Sequence, residues 1–315
     1  MRIRPSVLVL ASLLPLLLSA CSIRQMAMRS VTSALTGGVS VFATDPDDQL
    51  VGDALPFALK TVEALLESDP ENVDLLLTAC SGFTQYSYAF VELGAHRLTP
   101  VDYRAGAAER ARARDLYLRA RGYCFRAVDV LRPGASKRLP LDPVPALGDL
   151  PDTHTDLVYW TAASWGAAIS TGLERPEIVI DLPSVRAIFE HLLELDEGYN
   201  KGALHDAMVS LEAVPAAMGG SVERAAVHYE RAVTLSGDSR VGTHLNWAWL
   251  VEMRRQNRKG FEAAVDKALA VDMNESPADR VANTVNRKFA LFLRDRVDDV
   301  FLDDLEDDLE DMEGR

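Results

Sequence analysis

Cys21 is the residue whose sequence context specifies its chemistry most clearly. Arg2 and Arg4 supply a basic start, the apolar run 7–18 follows, and two small residues precede the thiol. The run is too short to cross a bilayer as a stable helix. This order is typical of a signal peptide that is removed directly before a cysteine whose thiol is then acylated. The alternatives are an ordinary cleaved signal with an incidental cysteine, or an N-terminal anchor.

The junction Leu18-Ser19-Ala20-Cys21 resembles that of bacterial lipoproteins. This resemblance implies a diacylated Cys21 thiol and an acylated amino group, with chains such as palmitate. Several acyl chains hold a protein stably on a membrane, whereas one chain is marginal. Ser22 in place of Asp favours, by the same resemblance, transfer to the outer membrane. We therefore expect a lipid-anchored chain on the periplasmic leaflet of the outer membrane.

The other reactive side chains of the sequence form no pattern that is typical of a catalytic site. The six histidines form no helix-borne pair with an intervening glutamate, and there is no Gly-x-Ser-x-Gly elbow, phosphate loop or Cys-x-x-Cys pair. His154, between Asp152 and Asp156, offers a metal site as an alternative. Polar residues at a helix start, however, favour capping and a role beside the helix dipole. We predict no catalytic residue, no metal site and no cofactor.

Two thiols, Cys80 and Cys124, remain besides Cys21. Both fall inside helical patterns, which predicts two buried free thiols. A disulfide between them is the alternative, because the expected compartment is oxidising.

The spacing of apolar residues indicates which secondary-structure elements hold these side chains. From Val73 to Gly94, apolar or small residues recur at three- and four-residue steps, which indicates one buried helical face. Proline and glycine punctuate further segments of this kind, and no alternation of period two appears. The segment 133–151, with its five prolines, predicts a long loop. The run 177–180 could be extended, but a helix end is favoured there. We expect an all-α fold.

A repeat underlies these helices. Ala225-x3-Tyr229-x2-Ala232 resembles the second helix of a tetratricopeptide repeat, in which small residues allow close packing and the aromatic ring fills the gap. The last three pivots are 40 and 36 residues apart, close to the tetratricopeptide period. The chain is therefore predicted to be an α-solenoid of degenerate helix pairs. Its pivots are Val62, Cys124, Phe189, Tyr229 and Val265.

The composition and the net charge of the chain limit its possible domain organisation and its possible partners. Hydrophobic residues make up 48% of the chain, enough for a large folded domain. The net charge of −14 is concentrated at the end, where ten acidic side chains accompany one arginine, so nucleic-acid binding is not expected. The predicted divisions are a cleaved signal peptide (1–20), a tether with the first helix (21–50), a helical domain (51–297) and an acidic helix or tail (298–315).

Five stretches of the chain have a distinctive order and packing pattern after the lipoprotein junction. They are ALPFALKTVEALLESDPEN at 54–72, LLLTA at 75–79, YSYAFVE at 86–92, AAERARARDLYLRARGY at 107–123 and YWTAASWGAAI at 159–169. Through these stretches the whole mature chain resembles the TatT family, the T component associated with tripartite ATP-independent periplasmic (TRAP) transporters. The resemblance lies in packing patterns and not in a catalytic fingerprint.

This resemblance implies a tetratricopeptide-like lipoprotein that assembles as a homotrimer, with a pore through each protomer. It also implies a partnership with the periplasmic solute-binding protein of a TRAP transporter, to help pass a small hydrophobic ligand. The alternative function is that of a tetratricopeptide scaffold lipoprotein in cell-envelope assembly, which would bind peptides on a concave face.

Aromatic residues supply candidates for the lining of such a pore. Rings with polar tips suit an amphipathic guest, although aromatics at helical spacing also pack in cores. The candidates are Tyr86, Phe90, Tyr159, Trp160 and Trp165.

The acidic segment 298–315 has apolar residues spaced for one helical stripe. It is predicted to be a solvated helix or tail, and the alternative is that it packs on the array or contacts a basic partner surface.

Overall fold

The structure is a computed structural model, and it describes residues 41–301. Cys21, the predicted signal peptide and most of the acidic segment lie outside these residues. The described chain is all-α and contains no strand, which confirms the predicted fold class and its helical array. Over the same residues, no helix has the length and apolar character needed to cross a membrane.

Helices follow one another along the described chain. The longer ones are α1 (Asp48–Ser68), α2 (Val73–Tyr86), α3 (Leu93–Leu98), α4 (Tyr103–Leu131), α5 (Thr155–Ser170), α6 (Leu182–Leu195), α7 (Ala203–Glu212), α8 (Val222–Ser236), α9 (Val241–Asn246), α10 (Arg258–Ala270) and α11 (Arg280–Arg294).

Side-chain caps start several of these helices. Asp47 accepts hydrogen bonds from the backbone N–H groups of Gln49 and Leu50, so that α1 begins at the next residue. Equivalent caps satisfy N–H groups that would otherwise lack partners at four further helix starts. These caps are Asn72 for α2, Asp102 for α4, Ser221 for α8 and Asn257 for α10.

The main core lies between α2, α4, α5 and α6. Its centre contains Cys80 of α2 and Cys124 of α4, which form a disulfide with Cα atoms 5.4 Å apart. The prediction of two free thiols is therefore wrong. Periodicity places each cysteine on a buried face, but it does not say which buried faces meet.

The proline-rich segment 133–151 is more ordered than a loop. It contains a short helix, Pro143–Leu147, and a further turn begins at Leu150. Ala135 and Leu139 are fully buried, so the segment contributes to the main core. The run 177–180 is likewise helical over Pro176–Val179, as favoured.

Two π-helical segments interrupt the α-helical geometry. Ser87–Glu92 joins α2 to α3, so the single helix expected from Val73 to Gly94 contains a wider turn in its second half. Trp247–Glu252 follows α9 in the same way. π-Helical turns are rare and occur frequently at functional sites.

The two ends of the array meet. The Tyr88 hydroxyl donates to Asn286 Oδ1 at 2.7 Å, although the two residues are 198 positions apart. Lys288 of α11 forms an ion pair with Asp48 at the start of α1, at 2.7 Å. A second core also joins the halves, since Val51 of α1 packs with residues of α10 and α11. The first and last helices of the described array are therefore in direct contact, and we call this contact the ring closure.

Candidate functional site

Polar side chains from five helical segments converge where the ring closes. Asp206 is central among them, because its charge acts on both Tyr88 and Tyr159. These three side chains keep part of their surface accessible, although burial dominates their electrostatics. We call this group the inner cluster. Its members are Tyr88 of the first π-helical segment, Tyr159 of α5, Asp206 of α7, Thr243 of α9 and Asn286 of α11.

Asp206 is an incompletely satisfied carboxylate. Its Oδ2 accepts a hydrogen bond from the Thr243 hydroxyl at 3.1 Å and lies 4.0 Å from Arg240 Nη1. Its Oδ1 is buried and has no hydrogen-bond partner among residues 41–301. Burial is the largest cause that raises the pKa of Asp206, to about 6. The group is therefore ionised at neutral pH at a cost in stability.

The two tyrosines of the inner cluster bring hydroxyl groups and aromatic surface together. Tyr88 donates to Asn286, and the Tyr159 ring contacts those of Trp160, at 5.1 Å, and Tyr199. Burial, together with the charge of Asp206, raises the pKa of Tyr159 to about 12. Burial, followed by the charges of Glu92 and Asp206, also raises the pKa of Tyr88. Both hydroxyls are therefore protonated and able to donate hydrogen bonds.

Two cations near the inner cluster are held by other groups. Arg240 Nη2 donates to Asn200 Oδ1 at 2.9 Å and lies 3.6 Å from Asp279 Oδ1. Lys201 Nζ donates to the Ser276 hydroxyl at 3.1 Å and lies 3.7 Å from Asp279 Oδ2. Asp279 is therefore the carboxylate nearest to both cations, and Asp206 has the longer, 4.0 Å contact with Arg240.

Two surface pockets flank this region. The first, of about 390 Å³, lies between α1, the first π-helical segment and α11. Charged Asp48, Arg97 and Lys288 line it together with aromatic rings. The second, of about 380 Å³, lies between α2 and α5, with Asp74 and Asp156 in its wall.

The five aromatic candidates divide among these places. Tyr86 and Phe90 line the first pocket with ring centroids 5.8 Å apart, and Trp160 lines the second pocket. Tyr159 belongs to the inner cluster. Trp165 instead is fully buried in the main core, where its ring contacts Phe125 edge-on and its Nε1 donates to Asp181 at 3.2 Å.

Sequence reasoning missed the polar half of the inner cluster. Asp206 follows the buried His205 and reads as an ordinary solvated helix position. In the sequence, Tyr88 and Asn286 are isolated polar residues, and only the contact between the first and last helices brings them together. The closest available signal was the aromatic tract that contains Tyr88.

A separate pair of histidines joins α7 to α8. His205 Nδ1 and His228 Nδ1 lie 2.8 Å apart, and Glu197 lies 3.1 Å from the other ring nitrogen of His205. Arg231 holds the same carboxylate through two hydrogen bonds. Burial is the largest cause that lowers the pKa of both histidines, so this contact forms between neutral rings. It stabilises the contact between the two helices.

Two comparisons with known proteins identify similar sequences. The family model for the TRAP transporter T-component matches residues 44–301. The chain is also 26% identical to an uncharacterized protein of Treponema pallidum (strain Nichols) over 316 aligned positions, which cover 91% of this chain and 95% of that protein.

Proposed function

We propose, because this chain belongs to the TRAP transporter T-component family, that it docks a periplasmic solute-binding protein and passes a small ligand through its helical ring. A T-component is an accessory of a TRAP transporter and does not belong to an enzyme class. Its place is therefore the cell envelope.

The inner cluster is the observation that carries the ligand-handling part of this proposal. Asp206 keeps 21% of its side-chain surface accessible while its buried Oδ1 lacks a partner. Binding sites for small molecules combine apolar and aromatic walls with a few polar groups that fix orientation. Tyr88, Tyr159 and Asp206 supply that combination where five helical segments meet.

An exposed apolar strip on α1 supports the docking part. Leu50 and Phe57 are two helical turns apart and therefore share a face, and they are 58% and 79% exposed. Exposed apolar and aromatic residues that share a face are typical of a protein-binding surface.

The tether completes the proposal. Lipidation of Cys21 would hold the chain on the periplasmic leaflet of the outer membrane, and a homotrimer would present three rings to diffusing partners. Anchoring raises the local concentration of a partner that binds the same membrane-held assembly. Cys21→Ser should release the protein from membranes and leave the fold intact.

Direct binding tests the proposal. Purified mature protein should bind the solute-binding protein of its own TRAP system saturably in surface plasmon resonance. A solute-binding protein from an unrelated transporter serves as the control. Equal binding to both proteins, or to neither, would contradict the docking role. Capture of an outer-membrane assembly factor instead would favour the scaffold function.

A further inference from the structure

We propose that the inner cluster binds its ligand through a positively charged nitrogen, with the Asp206 carboxylate as counter-ion. This inference rests on the proposed function, in which a small ligand enters the ring, and it specifies the chemical class of that ligand. It adds a charged group to the hydrophobic ligand that the family resemblance implies.

Hydrogen-bond accounting is the first argument. An ionised carboxylate has about four acceptor positions. Among residues 41–301, Asp206 receives one direct hydrogen bond, from Thr243, and its Oδ1 receives none. Buried carboxylate oxygens in folded proteins usually have partners. An ammonium group carries N–H donors and a positive charge, so it would supply Asp206 with the missing hydrogen bond and with a counter-ion.

Charge accounting is the second argument. The nearest cations, Lys201 and Arg240, lie 3.7 Å and 3.6 Å from carboxylate oxygens of Asp279. Arg240 also lies 4.0 Å from Asp206 Oδ2, whereas Asp206 Oδ1 has no hydrogen-bond partner among residues 41–301. A cationic ligand would bring a donor and a positive charge to that oxygen, whereas the carboxylate would repel an anionic ligand in a region of low dielectric.

The tyrosines supply the third argument. The charge of Asp206 acts on both Tyr88, of the first π-helical segment, and Tyr159, of α5. Aromatic rings beside a carboxylate are a recurrent arrangement for organic ammonium ions, because the ring face attracts a cation. The same rings accommodate an apolar chain on the nitrogen.

Isothermal titration calorimetry with three probes of one size tests this inference. The probes are butylammonium, butyrate and 1-butanol, each titrated into the full mature protein. Butylammonium should bind, and Asp206→Asn should weaken its binding about tenfold or more, because a charge-assisted hydrogen bond is lost. Asp115→Asn, which changes an exposed carboxylate on α4, is the matched control and should bind like the wild type.

Three results would overturn the inference. In the first, butyrate or 1-butanol binds as tightly as butylammonium. In the second, Asp206→Asn binds butylammonium with unchanged affinity. In the third, the wild-type protein does not bind butylammonium at millimolar concentration. Affinity for the solute-binding protein is measured on the same samples. If Asp206→Asn docks normally and the amine preference is absent, the ligand class is wrong and the docking role stands. If wild-type protein fails to dock, the proposed function itself is wrong.

Discussion

The two faces of α5 show how the molecule separates stability from ligand handling. One face carries Trp165 into the main core, beside the disulfide of Cys80 and Cys124. The other carries Tyr159 to the inner cluster, where Asp206 is buried with an unsatisfied oxygen. The core face is apolar and satisfied, whereas the inner face keeps a charge whose burial is unfavourable. Groups of the second kind are typical of functional sites.

The core face should respond most strongly to truncation. Trp165→Ala removes a fully buried ring and should lower the free energy of unfolding by about 3–5 kcal/mol. Urea denaturation followed by circular dichroism measures the loss. Trp160→Ala, on the partly exposed side of the same helix, is the control and should cost less. Equal losses would remove the contrast between the two faces.

The disulfide should be the next largest contribution. Cys80 and Cys124 are 44 positions apart, and opening such a loop should lower the free energy of unfolding by about 2–4 kcal/mol. Denaturation of the Cys80→Ala/Cys124→Ala variant measures this effect. Alkylation of the unfolded, unreduced wild-type protein should modify neither thiol. Modification of both would show that the bond does not form.

The inner cluster should respond in the opposite direction. In the folded state the pKa of Asp206 is raised from 3.8 to about 6, so ionisation above pH 6 destabilises the fold. Asp206→Asn should therefore raise the free energy of unfolding by about 1–2 kcal/mol at pH 7. The gain should shrink as the pH falls from 6 towards 4, because the wild-type carboxyl then becomes neutral.

Denaturation series of both proteins at several pH values measure this dependence. The charged groups that act on Asp206 are Arg240 and Asp279, and they are present in both proteins, so their own titration cancels in the difference. If Asp206→Asn were less stable than the wild type, Asp206 would have a structural role, and the contrast between the core face and the inner face of α5 would be wrong.

The exposed strip on α1 should matter least for stability. Phe57→Glu changes a side chain that is 79% exposed, so the free energy of unfolding should stay within about 0.5 kcal/mol. Its affinity for the solute-binding protein should fall about tenfold, since exposed aromatic residues contribute strongly to interfaces. Val227→Glu, on an exposed position of α8, is the matched control. Equal affinities of the two variants would exclude the strip from the docking surface.

Local patterns predicted the helices well and their meeting points poorly. Apolar steps around Val73 identified a buried face, because helical period is a property of neighbouring residues. The π-helical turn at Ser87–Glu92 was missed, since nothing in its sequence marks the change of period. The pairing of Cys80 with Cys124 and of Tyr88 with Asn286 depends on how distant helices pack, which a single sequence does not contain.

The acidic segment illustrates the same limit of local patterns. Its first residues do contact the array, since Asp298 forms an ion pair with Arg258 and the Phe301 ring lies 5.1 Å from that of Phe261. The predicted apolar stripe beyond them lies outside the described residues. Deletion of 302–315 and measurement of solute-binding-protein affinity would decide whether that part contributes to docking.

Native mass spectrometry of protein isolated from envelopes tests the central claim most directly, namely that the inner cluster holds a ligand at the expense of stability. Wild-type protein and Asp115→Asn should retain a small molecule that Asp206→Asn releases, while all three remain folded. Retention of the same mass by Asp206→Asn, or none by any of the three proteins, would contradict the claim.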